Sequence, residues 1–381
     1  MDFDLTEDQR AFQATARAFA AERLAPNAAR WDAERHFPAA ELRAAAALGF
    51  AGLYVDEAHG GTGLSRLDAA LVFEELAAAC PSTTAFLTIH NMVAGMIARF
   101  GSQAQRDRWL PRVLSGEMFV SYCLTEPGSG SDAAALRTRA EDTGDGAYRV
   151  NGTKAFISGS GIADLYVTMV RTSADGSRGI SCIVAEKGMP GLSFGAPENK
   201  MGWNSQPTAQ VIFDDVQVPR ENRIGAEGEG FRFAMMGLDG GRINIAACSL
   251  GGARACLEAA TAYVLQRRAF GRPLAEFQAL QFKLADMATE LEAARLMVHR
   301  AAVALDNGAP DATMRCAMAK RFATDACFHI VDEALQLHGG YGYIREYAME
   351  RYLRDLRVHR ILEGTNEIMR VIIARKLLEG A

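Results

Sequence analysis

The apolar pattern of this chain changes its period twice, and that alternation is the strongest constraint on the fold. Helical spacing holds to about residue 118, short β-branched runs separated by turns fill about 119–228, and helical spacing then continues to residue 381. A period near 3.6 is typical of amphipathic helices, and short β-branched runs are typical of strands. We therefore predict an α+β fold with an N-terminal α-helical domain over 1–118, a middle antiparallel β-barrel or sheet domain over 119–228, and a C-terminal four-helix bundle over 229–381.

Start signals and apolar spacing subdivide the two helical parts. Thr6 and Gln9 have the spacing of a capping box. Apolar residues from Leu280 to Val298 recur every three or four positions, which predicts one long helix. Residues 239–242, Asp-Gly-Gly-Arg, are expected to open another helix of the bundle. Further helices are predicted over 38–48, 67–79, 84–100 and 370–378.

Turn residues divide the middle part into short strands. The pair Asn151-Gly152 favours a backbone with positive φ, so we expect a turn between two strands there. The strands are predicted over 148–150, 155–158, 165–170, 180–184 and 211–218.

Composition excludes several classes of protein. The chain has 41 Lys+Arg against 46 Asp+Glu, a formal net charge of −5, and no run of basic residues, which argues against a nucleic-acid surface. Its longest apolar stretches are broken by Arg or Glu, so we expect no membrane span. The acidic start lacks the features of a leader, which predicts a cytoplasmic protein, or a mitochondrial matrix protein if the chain is a processed form.

The seven cysteines are scattered and include no C-x-x-C pair. Each lies in an apolar or helical context, so we interpret them as small buried hydrophobic residues. No histidine pair has metal-ligand spacing either. The sequence therefore predicts neither a disulfide framework nor a metal site.

The segment 122–132 combines glycines with hydroxyl side chains directly after a predicted strand. Gly128 and Gly130 let backbone N–H groups converge, and Thr125, Ser129 and Ser131 add donors, which suits a ligand with carbonyls or phosphates. An ordinary turn is the alternative. The segment lacks G-x-G-x-x-G and its βαβ context, so it is not a Rossmann fingerprint.

Three further segments have both a chemical and a structural interpretation. Glu363 beside Gly364 is either a base in an apolar pocket or a solvent-facing acid before a helix capped by Thr365. Arg242 is either a clamp for an anionic substrate or one half of a salt bridge. The glycines of 339–342 form either an interhelix turn or a place where a ligand approaches the backbone.

The segment 122–132, together with Glu363-Gly364-Thr365, resembles the acyl-CoA dehydrogenase family. The resemblance extends over essentially the whole chain, in the α–β–α order predicted above. It also includes the segments 266–271 and 336–340 and the pair Arg354-Asp355. Segments 87–92, 202–208 and 237–244 are most similar to the branch that acts on isobutyryl-CoA.

The resemblance implies FAD as the cofactor and assigns roles to residues. Glu363 matches the catalytic base, which in some branches comes instead from the position of Gly241. Segment 336–340 would reach FAD across a subunit interface, together with Arg268 and Gln278. The FAD contacts implied are Tyr122, Cys123, Leu124, Thr125, Gly130, Ser131, Phe156, Ile157, Ser158, Arg268, Gln278, Gln336, Leu337, Gly339, Gly340, Thr365 and Glu367. The acyl-CoA contacts implied are Ser131, Asp239, Arg242 and Arg375.

The family assignment also implies a reaction and partners. Glu363 would remove the α-proton of a short branched acyl-CoA, isobutyryl-CoA of valine breakdown first, while flavin takes the β-hydride. Leu362, where straight-chain enzymes often carry Tyr, is compatible with a branched acyl group. Electron-transferring flavoprotein would accept the electrons, and the chain would form homotetramers. The alternatives are another short or 2-methyl-branched acyl-CoA, an oxidase-type flavoenzyme of the same fold, and a non-catalytic acyl-CoA-binding protein.

Overall fold

The computed structural model describes residues 4–379 and arranges them as helices, then a sheet, then helices. The outermost residues of the predicted first and last domains, 1–3 and 380–381, lie outside that range. The order of the parts agrees with the fold class predicted from the sequence. The helices of the first part are α1 Glu7–Phe19, α2 Ala28–Glu34, α3 Ala39–Ala47, α4 Arg66–Ala79, α5 Pro81–Phe100 and α6 Gln103–Leu114.

Local signals explain where these helices begin. Thr6 caps α1 through the predicted capping box with Gln9, and Ser65 and Asp68 form the equivalent box before α4. Pro81 occupies the first turn of α5, where its missing N–H leaves no hydrogen bond unmade. The sequence placed the start of α5 three residues too late because it treated Cys80-Pro81-Ser82 as a break.

The middle part is one sheet of short strands. The strands are β1 Val120–Cys123, β2 Arg139–Asp142, β3 Ala147–Ser158, β4 Leu165–Arg171, β5 Ile180–Glu186, β6 Leu192–Phe194, β7 Thr208–Pro219 and β8 Arg223–Ile224. Their order in the sheet is β6-β7-β3-β2-β4-β5-β8, and β1 pairs with β4. Most pairs are antiparallel, as predicted, whereas β1 and β2 run parallel to β4.

The predicted turn at Asn151-Gly152 is wrong, because β3 continues through both residues. The pairing of β3 with β7 shifts register between Val150 and Gly152, which marks a β-bulge. Gly152 has a φ of +145°, and a Cβ on it would lie 2.5 Å from Thr138 Oγ1. The glycine therefore permits a bulge and a close strand approach rather than a chain reversal.

The last part contains three long helices and two shorter ones within residues 4–379, rather than the predicted four long helices. The helix predicted to open at 239–242 already begins at Gly230, so those residues lie inside it. The helices are α7 Gly230–Gln266, α8 Gln278–Asp306, α9 Ala312–His338, α10 Met349–Arg357 and α11 Asn366–Glu379; the short strands β9 Arg268–Ala269 and β10 Arg272–Pro273 separate α7 from α8.

Packing between α7 and its neighbours joins the parts and positions the site. Its buried residues include Ile243, Ala246, Ala247 and Leu250, which belong to the same apolar core as residues of α4 and α9. On the long face of α8, Met287, Leu291, Ala294 and Val298 are buried as the apolar spacing predicts. Within residues 4–379 no helix is long and apolar enough to cross a membrane.

Candidate active site

Glu363 lies in the short connection between α10 and α11, in a left-handed backbone conformation. Its φ is +55°, and Gly364 follows with a φ of +87°. Such a conformation is uncommon for a residue with a Cβ and occurs where surrounding contacts fix it. The conformation turns the Glu363 side chain away from the surface and toward α7. Gly364 is held from the opposite side, because the buried Lys320 donates to its carbonyl at 2.7 Å.

The Glu363 carboxylate packs directly against the backbone of α7 at Gly241. A Cβ built on Gly241 would lie 2.7 Å from Glu363 Cδ and closer still to Oε2. Only glycine leaves room for the carboxylate at this point of the helix. A side chain at position 241 would occupy the same space as the Glu363 carboxylate.

The buried oxygen Oε2 of Glu363 finds no hydrogen-bond partner among residues 4–379. Burial raises the pKa of this carboxyl to about 7, and the charges of Arg242 and Lys320 oppose that rise. A carboxylate of raised pKa with one oxygen free is poised to accept a proton near neutral pH.

Arg242 is largely committed to protein contacts. It is only 5% exposed and forms a 2.5 Å ion pair with Asp239. Its Nε also donates to the main-chain carbonyl of Glu363 at 3.4 Å. Thr313 Oγ1 donates to the second oxygen of Asp239 at 2.7 Å, which fixes the pair further. Arg242 therefore forms a salt bridge in this structure, and the pair holds the main chain of Glu363.

Two tyrosines complete the surroundings of Glu363. The buried Tyr122 hydroxyl has no partner within the described part of the chain, and burial together with the nearby Glu363 charge raises the Tyr122 pKa. Burial raises the pKa of Tyr54 as well, and Asn244 donates to its hydroxyl at 3.3 Å. The Arg66 guanidinium carbon lies 3.5 Å from the centre of the Tyr54 ring.

A buried ion pair holds the 122–132 segment open. Lys154, fully buried on β3, donates to Glu126 at 2.8 Å and to the Leu124 carbonyl at 3.0 Å. Glu126 also accepts the backbone N–H groups of Arg137 and Thr138, at 2.6 and 2.8 Å. These bonds satisfy the carboxylate within the protein and fix the start of the loop.

The tip of this loop faces free space. Cβ atoms built on Gly128 and Gly130 would have no described atom within 4 Å. Ser129 is buried and donates to the Asp132 carbonyl at 2.6 Å, whereas Ser131 is exposed. Thr125 is half-buried, and Cys123 and Leu124 are buried. Ser129 thus has a structural role, and Ser131 is available to a ligand.

Phe156 is a large apolar side chain held on the surface. It is 67% exposed and has a φ of +57°, inside the register shift between Lys154 and Ile157 where β3 leaves its pairing with β7. Ile157 is buried, and the Ser158 carbonyl accepts a 2.6 Å bond from Ser121. An exposed aromatic ring on a strained backbone is typical of a ligand-contacting position.

A second group of predicted residues lies around a separate cavity of about 630 Å³. Gln336, Leu337, Gly339 and Gly340 line it at the end of α9, with Tyr263 and Arg267 from the end of α7. Arg268 and Gln278 are exposed in the adjoining segment, where Arg268 donates to the Gly271 carbonyl at 2.8 Å. This cavity shares none of its lining residues with the surroundings of Glu363.

The remaining predicted residues lie on α11 or at its start. Thr365 caps the helix by accepting the Ile368 N–H at 3.3 Å. Glu367 is 80% exposed, 3.8 Å from Arg370, and Arg375 is exposed further along the helix. The structure thus supports the predicted cap, while no described contact joins Arg375 to Asp239 or Arg242.

Sequence reasoning missed Lys320, Tyr54 and Arg66. Lys320 could have been found from the sequence. It is the charged residue at the end of the run Cys-Ala-Met-Ala-Lys of α9, on a face of the helix that must be apolar to pack. Tyr54 and Arg66 had none, because both come from a loop and a helix start whose placement depends on tertiary packing.

Comparison with known proteins agrees with this architecture. Three consecutive family models match the chain: the N-terminal domain of acyl-CoA dehydrogenase over 6–117, the middle domain over 121–216 and the C-terminal domain over 228–378. The mitochondrial isobutyryl-CoA dehydrogenase of Bos taurus is 57% identical over 375 residues, which is 98% of this chain and 90% of that protein.

Two solved structures have the same fold over their whole length. Butyryl-CoA dehydrogenase from Megasphaera elsdenii is 40% identical with a TM-score of 0.96, covering 99% of this chain and 100% of that chain. A chain in the structure described as the electron transferring flavoprotein of Acidaminococcus fermentans is 42% identical with a TM-score of 0.97, with the same coverage. Family models, sequence identity and fold all show the same result: the chain belongs to the acyl-CoA dehydrogenase family.

Proposed function

We propose that this acyl-CoA dehydrogenase uses Glu363 to remove the α-proton of a short branched-chain acyl-CoA. The observation that carries the proposal is the buried, unpartnered Oε2 of a carboxyl whose pKa is raised to about 7. Desolvation makes the carboxylate a stronger base, and its seat on Gly241 fixes the direction from which it attacks. The Arg242–Asp239 pair holds the backbone of Glu363 in place.

FAD fits the residues around Glu363. The unpartnered Tyr122 hydroxyl, the open space over Gly128 and Gly130, and the exposed Phe156 ring are features that a bound flavin nucleotide would cover. When bound, FAD supplies the acceptor for the β-hydride. We assign its flavin contacts to the 122–131 loop and to 156–158, with Thr365 and Glu367 nearby. Its remaining contacts would come from the second cavity of a neighbouring subunit, through Gln336 to Gly340, Arg268 and Gln278.

The exposed residues around the second cavity support an assembly of subunits. Phe270 is 94% exposed and Tyr343 is 82% exposed, and both flank the segments that border the cavity. Apolar rings of that size are seldom left in water, which supports burial against another copy of the chain. We propose the homotetramer of the family as that assembly, with electron-transferring flavoprotein as the acceptor of the electrons.

Isobutyryl-CoA is the substrate we propose first, as an intermediate of valine breakdown. The bovine relative described above is named for it, and the apolar wall beside the base supports a short branched acyl group. Leu362 packs with Val358 against an apolar cluster that includes buried Trp203, Ile245 and Ala85. Asp239, Arg242, Ser131 and Arg375 are the residues we assign to the CoA side.

Anaerobic bleaching of the flavin tests reaction and substrate together. The purified protein, loaded with FAD, is mixed with isobutyryl-, butyryl-, 2-methylbutyryl- or isovaleryl-CoA, and the loss of flavin absorbance is followed. We expect isobutyryl-CoA to give the fastest reduction. Glu363→Gln should lower the rate by roughly 10³-fold or more while the protein still binds flavin and CoA thioester. Glu258→Gln, an exposed glutamate on α7, is the matched control.

Each other outcome would indicate a different function for this protein. Preference for another thioester would retain the family reaction and exclude the valine substrate. Rapid formation of hydrogen peroxide without any acceptor protein would indicate an oxidase. A protein that binds acyl-CoA but never bleaches would be a binding protein, and a Glu363→Gln variant with near-parental rate would remove Glu363 from the reaction.

A further inference from the structure

Lys320 on α9 is a fully buried lysine whose ammonium group points at the Glu363 connection. Its Nζ donates to the Gly364 carbonyl at 2.7 Å and to Asn366 Oδ1 at 2.9 Å, and the side chain is 0% exposed. Transfer of an ammonium group from water into a protein interior is unfavourable unless the site compensates for the lost hydration. Neither of these two acceptors carries a charge, so the compensating charge lies elsewhere.

A hydrogen-bonded network joins the Lys320 contact to the residues before and after Glu363 in the segment between α10 and α11. Asn366 donates to Thr324 Oγ1 at 3.0 Å and to Asp325 Oδ1 at 2.9 Å. Arg360 donates to the same Asp325 oxygen at 2.7 Å. The chain before and after Glu363 is therefore tied to one turn of α9, with Lys320 bound to the residue that directly follows the base.

Several charged or titratable groups face Glu363 from the elements around it. Arg242 faces it from α7, Lys320 from α9 and Tyr122 from β1, while Tyr54 approaches from the loop before α4. Arg242, whose charge acts on Glu363 more strongly than that of Lys320, is already paired with Asp239 at 2.5 Å. Lys320 has no such partner in the described chain, since both of its hydrogen-bond acceptors are uncharged oxygens.

The other acidic residues near Lys320 do not neutralise its charge in the way that Asp239 neutralises Arg242. Asp325 lies within 4 Å of Arg321, Arg360 and Arg370, so its charge is shared among three guanidinium groups. Glu367 is 80% exposed, and solvent screens it. His359 is buried beside Lys320, and burial, together with that positive charge, lowers its pKa to about 3, so it stays neutral. The buried negative charge available to Lys320 is the Glu363 carboxylate.

We infer that Lys320 is a positioning residue for the base: it fixes the left-handed connection at Glu363-Gly364, and its charge favours the ionised form of Glu363. The inference rests on the proposed function, because it assigns Lys320 to the same proton transfer. The pKa directions of the two groups reflect their mutual interaction and agree with the inference. The Lys320 charge opposes the rise in the Glu363 pKa, and the Glu363 charge opposes the fall that burial causes in the Lys320 pKa.

The test is the pH dependence of flavin bleaching by the best thioester, between pH 5.5 and 9. Lys320→Met should move the acidic limb of the rate profile upward by roughly one pH unit, because the carboxyl loses a neighbouring positive charge. The maximal rate should also fall roughly ten-fold as the connection loosens. Lys320→Arg keeps the charge, so its limb should stay with that of the parent enzyme.

A second lysine supplies the matched control. Lys200 is partly buried, donates to the Gln206 carbonyl at 2.6 Å and to Thr208 Oγ1 at 2.8 Å, and burial lowers its pKa to about 8, as it does for Lys320. It is not among the groups whose charge acts on Glu363. Lys200→Met should leave the limb in place. If Lys320→Met does not fold, Lys320→Gln, which retains a donor for Gly364 without the charge, should give the same upward shift.

The outcomes separate this inference from the proposed function. A parent enzyme that no acyl-CoA bleaches would overturn the proposed function itself. If the parent enzyme bleaches normally, the inference depends on the acidic limb of the variants. A limb of Lys320→Met or Lys320→Gln at the same pH as in the parent would overturn the inference and leave Lys320 a structural residue. A limb that moves equally in Lys320→Arg would show that shape rather than charge is responsible, and would also overturn it.

Discussion

At the scale of single residues, the base is held in a state that opposes folding. Glu363 combines a left-handed backbone, a buried oxygen without a partner and a pKa raised to about 7. In an unfolded chain the same carboxyl titrates near pH 4.3. Between these two values the folded protein binds the proton more tightly, so the contribution of this group to stability is present at low pH and is lost as pH rises toward 7.

We therefore expect Glu363→Gln to be more stable than the parent enzyme in alkaline solution, because a neutral amide has no ionisation to suppress. The advantage should be about 1–2 kcal/mol larger at pH 8 than at pH 5.5. Urea unfolding at the two pH values, at equal protein and FAD concentration, measures it. An advantage that is the same at both pH values would mean that the Glu363 carboxyl titrates normally in the folded protein.

Residue types identified only part of this site in advance. Glu363 and Tyr122 lie in short motifs that resemble those of a family, so their importance is visible in the sequence. Lys320 acts on a main-chain carbonyl 44 residues away, and a backbone carbonyl leaves no signature in the sequence. The same holds for the seat of the carboxylate on Gly241, which requires two distant segments to meet.

At the scale of elements, α7 serves as the floor on which the base rests. A directional chain of hydrogen bonds fixes the segment before Glu363 to this helix. Trp203 Nε1 donates to His359 Nε2 at 3.2 Å, and the other ring nitrogen, which therefore carries the proton, donates to Ser249 Oγ at 2.7 Å. Ser249 donates in turn to the Ile245 carbonyl at 2.9 Å. These hydrogen bonds link the loop before β7, the segment before Glu363 and α7.

Gly241→Ala tests whether the Glu363 carboxylate requires a residue without a side chain at position 241 of α7. The added methyl group would collide with the Glu363 carboxylate and displace it, while the helix itself gains up to about 1 kcal/mol in propensity. We expect the rate of flavin bleaching to fall roughly 10²-fold without a loss of thermal stability. Gly237→Ala on the same helix is the control, since its Cβ would approach two flexible side chains, Met96 at 3.3 Å and Met92 at 3.7 Å. Equal rates in the two variants would contradict the packing argument.

Elements were predictable where local and tertiary preferences agree. The capping boxes of α1 and the apolar face of α8 satisfy both, and the structure confirms them. At Asn151-Gly152 the local preference for a turn competes with a twelve-residue strand pairing along β7, and the pairing prevails by absorbing the glycine as a bulge. The 239–242 segment is helical because α7 is stabilised by burial along most of its length, despite two adjacent glycines.

At the scale of the whole molecule, two acids on α4 link the N-terminal helices to the last part. Glu74 accepts from Arg295 of α8 at 2.9 Å, and Glu75 accepts from Arg254 of α7 at 2.7 Å. Both carboxylates are at most 5% exposed. Removing one of these carboxylates takes a buried partner from its arginine, which is more destabilising than the loss of an exposed pair.

Glu74→Ala should accordingly lower the free energy of unfolding by about 3–5 kcal/mol. Glu292→Ala removes the other partner of Arg295, at 2.8 Å, but Glu292 is 59% exposed, so its loss should amount to less than about 1 kcal/mol. Thermal or urea unfolding of the two FAD-loaded variants compares them directly. Similar losses in both would show that Arg295 is accessible to water and that the link is weak.

The order of the three parts was predictable because each has its own apolar period. How they join was not, since ion pairs such as Glu74–Arg295 connect residues more than 200 positions apart. The second cavity presents the same problem on a larger scale, because we propose that another copy of the chain covers the exposed rings of Phe270 and Tyr343.

The seven cysteines have a consequence for how this protein can be observed. All are buried, in places that include the end of α4, β1, β5, α7 and α9, and burial raises the pKa of each thiol. Alkylating reagents attack the thiolate, so a folded molecule offers them almost nothing. A cysteine can therefore be labelled only after the region around it unfolds locally. The labelling rates of the seven thiols would report local unfolding in each of the three parts of the protein.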